Sequence, residues 1–101
     1  MKKIECIIRP EALPLVEQAI RQERVGGLTI SEVRGFGLQR QPARPKVKLE
    51  IYAMDIEVER LIEAIKLAAF TGDIGDGKLA VLPVEQLIRI RTQEEGAKAL
   101  V

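Results

Sequence analysis

The chain has 101 residues, 47% apolar and 31% charged, enough for one compact soluble domain and too few for a second independent core. Sixteen basic and fifteen acidic side chains leave a net charge of +1, so the overall field argues for neither nucleic acid nor an anionic membrane, and any anion site must come from local clustering. No histidine and a single cysteine count against metal enzymes and Ser-His-Asp hydrolases and preclude an internal disulfide, while one Tyr, two Phe and no Trp are too few for base-stacking platforms.

The N-terminus runs from Lys2 and Lys3 straight into strand-like sequence without an apolar signal segment, and no apolar run reaches membrane-spanning length, so a cytoplasmic protein is expected. From Lys3 to Ile8 the residues alternate, Ile4, Cys6 and Ile8 on one face and Lys3, Glu5 and Ile7 on the other, which predicts a strand with one buried face. Cys6 fits that face as a small buried hydrophobe. Pro10 breaks the strand. Leu13, Val16, Ala19 and Ile20 then recur at helical spacing, with Pro14 in the first turn, predicting a helix from Leu13 to Glu23. Gly26 and Gly27 end it, and Leu28 to Arg34 reads as a second strand.

The second half repeats the plan. Val47, Leu49 and Ile51 alternate with Lys46, Lys48, Glu50 and Tyr52 in a third strand, and a helix begins near Asp55 with an apolar stripe of Val58, Leu61, Ile62, Ile65 and Ala69. A glycine-rich turn leads to a fourth strand at Leu79 to Leu82, closed by Pro83. Two β-α-β units in tandem predict an α+β, ferredoxin-like βαββαβ sandwich, a single domain over residues 1–101 with both helices on one sheet face. Val84 to Arg91 ends in Ile88-Arg89-Ile90-Arg91 and reads as an extra C-terminal edge strand, whose unpaired ladder groups call for oligomerisation.

Three segments favour an anion. Arg34 to Lys46 (RGFGLQRQPARPK) carries Arg34, Arg40, Arg44 and Lys46 without an acid, and its Gly35 and Gly37 permit positive φ and close backbone approach to phosphate oxygens. Thr71 to Lys78 (TGDIGDGK) offers three glycines and a lysine, but it is not a P-loop. Leu79 stands where a magnesium-binding hydroxyl is needed, and the order of elements is helix, loop, strand. Arg89 and Arg91, about 7 Å apart on one face of an extended strand, would form a fork for a polyphosphate.

The stretches MKKIECIIRP, GGLTISEVRGFGLQ, PKVKLEI, TGDIGDGK and PVEQLIRIRT together resemble the PII signal-transduction family, trimeric nucleotide sensors of nitrogen and carbon status. The resemblance spans nearly the whole chain and implies a homotrimer that binds ATP, ADP or AMP, with or without Mg2+, in clefts between subunits. It implies that Gly35, Gly37, Gln39, Gly75, Asp76, Gly77 and Lys78 surround the ribose and phosphates. Arg89 and Arg91 would reach the phosphates across the interface, with Ile7, Thr29 and Glu50 near the adenine. Gln39 and Lys46 match residues that help the family bind 2-oxoglutarate through the magnesium of bound MgATP, and Arg40 is a further phosphate candidate.

The chain also departs from the family pattern. Only Leu38 to Pro45 stands where the family carries a long loop, and no Tyr, Ser or Thr lies between Arg34 and Lys46, which excludes modification of that loop by uridylylation or phosphorylation. Leu38 and Phe70 each replace a usual arginine, so ADP or AMP is expected to compete unusually well with ATP. The reading is a non-catalytic regulator of a partner transporter or enzyme in nitrogen or carbon metabolism. A divergent sensor of adenylates and bicarbonate, tied to inorganic carbon uptake or carboxysomes, is one alternative. Another is a slow phosphohydrolase in which Asp76 or Glu50 activates water.

Overall fold

Alternation at period two and apolar stripes at helical period translate directly into the elements of the computed structural model, which describes all 101 residues. These are β1 (Lys2–Ile8), a 3-10 turn (Pro10–Ala12), α1 (Leu13–Arg21), β2 (Thr29–Gly35), β3 (Arg44–Ala53), α2 (Asp55–Ala69), β4 (Lys78–Pro83) and a C-terminal 3-10 helix (Gly96–Leu100). The strands form one sheet in the order β2-β3-β1-β4 with every neighbouring pair antiparallel. This is the expected ferredoxin-like α+β arrangement.

Register follows from burial. Ile4 lies opposite Ile51, Cys6 opposite Leu49 and Ile8 opposite Val47, so the apolar halves of β1 and β3 share one face. Onto that face α1 lowers Val16 and Ile20, and α2 lowers Val58, Leu61, Ile65 and Ala69; no polar side chain is buried. Pro14 sits in the first turn of α1, where a missing N–H breaks no helical bond. That helix ends at Arg21, before the expected Glu23, because Glu23 and Val25 pair in tight turns with Ile20 and Glu23. The α2 start is held by Glu57, whose carboxylate accepts the Met54 N–H at 3.0 Å while its own N–H donates to the Met54 carbonyl.

No helix covers the other face of the sheet, where Glu5 and Glu50 stand directly opposite each other. Like charges in that position repel, and diagonal lysines offset the repulsion: Lys3 meets Glu50 and Lys48 meets Glu5, each at 2.7 Å. The hydrogen bond from Lys3 holds the Glu50 carboxyl below the usual carboxylate range.

The extra strand expected at Val84 to Arg91 takes another form. Val84 donates to the Met1 carbonyl, and after it the segment leaves the sheet and folds back on itself. Ile88 forms an isolated bridge with Glu95, and Gln93 turns the chain with φ 62°. The alternating pattern is present, but its ladder partners are residues 94–96 rather than β4, so it adds no strand to the sheet within one chain. No helix is long and apolar enough to cross a membrane.

Candidate functional site

Antiparallel topology brings the end of β1, the start of β3 and the start of β4 to one end of the sheet, and there the glycine-rich loop joins α2 to β4. Gly72, Gly75 and Gly77 all adopt positive φ, at 88°, 101° and 111°. Gly77 is further constrained by contact, since a Cβ there would lie 1.9 Å from the Ile7 carbonyl oxygen. Glycine therefore lets the loop press against β1.

Asp76 organises this loop. Its Oδ2 accepts the N–H groups of Thr71 and Gly72 at 2.7 and 2.9 Å, and its Oδ1 accepts the Thr71 hydroxyl and, at 3.0 Å, Arg9 Nη2. Those four donors fill the lone-pair directions of a carboxylate. The Thr71 hydroxyl, then the Thr71 amide, hold the Asp76 carboxyl below its ordinary range. Asp76 thus shapes the loop, with its oxygens turned to protein donors rather than outward. Glu50, the other candidate base of the phosphohydrolase reading, pairs through Oε2 with Lys3.

Arg9 is a member of this constellation that the sequence reading missed. It follows β1 directly and meets Asp76 sixty-seven positions away, and only the fold brings the two together. Around the loop stand further cations. Lys78 opens β4 opposite Ile7, and any side chain on Gly75 would come within 3.8 Å of Lys46 Nζ and 3.9 Å of Arg9 Cδ. At the same end β2 finishes with Gly35 opposite Arg44, and the connection carrying Gly37, Gln39 and Arg40 starts there. A Cβ on Gly35 or Gly37 would meet nothing within 4 Å, and neither adopts the positive φ that the sequence reading allowed them. They leave open space, while Arg40 itself turns with φ 54° and Leu38 is fully exposed.

The remaining candidates lie further along the sheet, with Glu50 opposite Glu5 at the middle of β1. Thr29 opens β2 opposite Glu50, and β4 has carried the chain about 17 Å along the sheet before the segment holding Arg89 and Arg91 begins. The expected arginine fork is not formed. Arg89 turns to Glu94 Oε1 at 3.4 Å and to the Ala99 carbonyl at 3.3 Å, and Arg91 is exposed in the following turn. One chain therefore holds two separated groups, Ile7, Arg9, Gly35, Lys46 and Gly75 to Lys78 at one end and Arg89 and Arg91 beyond the other, with Glu50 and its neighbour Thr29 between them.

An apolar groove of about 400 Å³ also opens between α2 and β4, beside Phe70 and Leu79. It lies on the helix side of the sheet, although Gly77 and Lys78 border it. No group of three or more Cys, Asp or Glu side chains is arranged to hold a metal ion.

Comparison with known proteins bears on this arrangement. The family model described as "Nitrogen regulatory protein P-II" matches residues 1–94. Curated relatives carrying the same name include those of Azospirillum brasilense, 46% identical, and Pasteurella multocida, 45% identical, each alignment covering 99% of this chain and 100% of the relative. A third, from Bradyrhizobium diazoefficiens, is 46% identical with the same coverage. These alignments run over 112 positions against the 101 residues here, so the relatives carry internal residues with no counterpart in this chain. With the family match covering almost every element of the sandwich, the chain belongs to the PII family of nitrogen regulatory proteins, and it is a signalling protein of that family.

Proposed function

We propose that this PII protein is a non-catalytic sensor that binds adenine nucleotides in clefts completed by a second copy of the chain within a homotrimer. The observation that carries the reading is the separation of two complementary half-sites on one chain. A flexible diphosphate needs cations and amides together, and Lys78, Lys46 and the glycine loop lie about a strand's length from Arg89 and Arg91. A second copy that sets its Arg89 end against the first copy's glycine loop brings both sets to one ligand. Ile7, Glu50 and Thr29 then lie near the base, and Gly35 near the ribose.

Nucleotide occupancy would bias the conformation of residues 36–43, a largely exposed connection that carries Arg40, and so control docking on a partner transporter or enzyme of nitrogen or carbon metabolism. The regulatory names of the relatives support a signalling role. Phe70 and Leu38 supply no charge near the loop, which favours ligands with fewer phosphates.

Calorimetric titration with ATP, ADP and AMP, each with and without Mg2+, 2-oxoglutarate and bicarbonate, tests this. Saturable binding of one nucleotide per chain without turnover is expected, with ADP or AMP rivalling ATP. Cooperative binding of MgATP and 2-oxoglutarate identifies the ordinary nitrogen-signalling role, and a bicarbonate effect identifies a carbon sensor. No binding, or turnover in place of binding, contradicts the proposal.

A further inference from the structure

Arg89 is already occupied by the chain's own C-terminal segment. Its Nη1 faces Glu94 Oε1 at 3.4 Å and its Nη2 donates to the Ala99 carbonyl at 3.3 Å, so two guanidinium nitrogens meet one carboxylate and one carbonyl, the kind of oxygen acceptors that a phosphate would offer. The backbone supports that posture. Arg89 N–H donates to the Glu94 carbonyl, Gln93 N–H to the Arg89 carbonyl, and Gly96 N–H to the Leu87 carbonyl.

The far end of the segment is anchored independently. Leu100 is 8% exposed, and its carbonyl lies so close to Gly26 that a Cβ there would come within 1.5 Å of it. Residues 94–100 thus run from the arginine to the turn before β2, held at both ends. Glu95, the neighbouring acid, takes no part in holding Arg89; its carboxylate accepts Gln86 Nε2 at 3.1 Å.

We propose that residues 94–100 form an autoinhibitory latch in which the Glu94 carboxylate and the Ala99 carbonyl act as an internal substitute for the phosphates of an adenine nucleotide on Arg89. The proposal rests on Arg89 being a phosphate ligand, as in the function proposed above. Binding then requires the arginine to exchange Glu94 for the ligand, so Glu94 sets how much phosphate charge is needed to open the site. A ligand with no phosphate gains nothing from opening it.

The test compares wild type, Glu94→Gln, Glu95→Gln and Arg89→Gln by calorimetry with ADP and with adenosine, and by amide hydrogen exchange without ligand. Both glutamate variants lose one negative charge, and only Glu94→Gln loosens the arginine. Glu94→Gln is expected to tighten ADP binding about three- to fivefold, the scale of a part-exposed ion pair. Glu95→Gln should change it by less than about 1.5-fold, as expected for a screened exposed charge. Adenosine binding should be unchanged in both. In the ligand-free protein Glu94→Gln should speed exchange of the Arg89, Gln93 and Gly96 amides.

Equal tightening by the two glutamate variants, or unchanged exchange in Glu94→Gln, overturns the latch. Unchanged ADP affinity in Arg89→Gln overturns instead the assignment of Arg89 to the phosphates, and exchange in the ligand-free protein still decides whether Glu94 holds the segment.

Discussion

Four hydrogen-bond donors converge on the Asp76 carboxylate, and that convergence gives the loop its shape. Asparagine there would aim an NH2 group at two of the donors, so Asp76→Asn should disorder residues 71–77 while leaving the sheet intact. Amide exchange at Thr71 and Gly72 reads this directly. The pH dependence has a defined sign. Because the folded carboxyl titrates below its ordinary 3.8, its contribution is complete above that value and is lost as pH falls through the lower folded value. The Thr71 and Gly72 amides should therefore stay protected at neutral pH and lose protection only below about pH 4. Cys6 gives a second residue-scale prediction. Burial pushes its thiol up to about 11, so a thiol reagent at pH 8 should leave the native protein unlabelled and label it on unfolding. The sequence showed Cys6 as a core residue through its period-two spacing. It offered Asp76 as a neighbour of the ribose and phosphates and as a candidate base, and missed its hold on the loop, because one partner that fixes it, Arg9, is distant in the chain.

Among the elements, β1, β3 and α2 were legible almost to the residue, since each buries one face and leaves the other in water. The C-terminal segment was not. Alternation from Ile88 to Arg91 specifies an extended chain but does not name its ladder partner, and the partner is the segment's own continuation at Glu95. Nothing in the spacing indicated that Leu100 would pack against the turn before β2. Gly26→Ala should expose that dependence: its methyl cannot coexist with the Leu100 carbonyl, so the C-terminal 3-10 helix must undock. Loss of the burial of Leu100 should cost about 1.5–3 kcal/mol in chemical denaturation, with the sheet otherwise unchanged. A variant as stable as wild type, with protected C-terminal amides, would contradict that role. By contrast Leu49→Ala, at a fully buried position of the central strand, should cost about 2–5 kcal/mol and unfold the molecule as a whole.

For the whole molecule, the sandwich followed from the pattern of strands and helices, and the cationic segments from composition alone. Which segments share an end of the sheet did not. Antiparallel order sets Lys46, Lys78 and the glycine loop together, and it carries Arg89 and Arg91 away, behind the length of β4. At the centre of the uncovered face Lys3, Glu5, Lys48 and Glu50 are neutralised in pairs, which offers a second copy a patch without net charge. If two chains build each nucleotide site, then damage to opposite halves can be repaired by mixing. Lys78→Gln and Arg89→Gln should each bind ADP poorly alone. Unfolded together and refolded at equal concentrations into mixed trimers, they should regain wild-type affinity at about a quarter of the sites, those in which an intact half from each chain meets. Calorimetry on the mixture against each variant alone is the decisive measurement. Recovery of that fraction is the result expected, and mixed trimers with no recovered sites would contradict a cleft shared between chains.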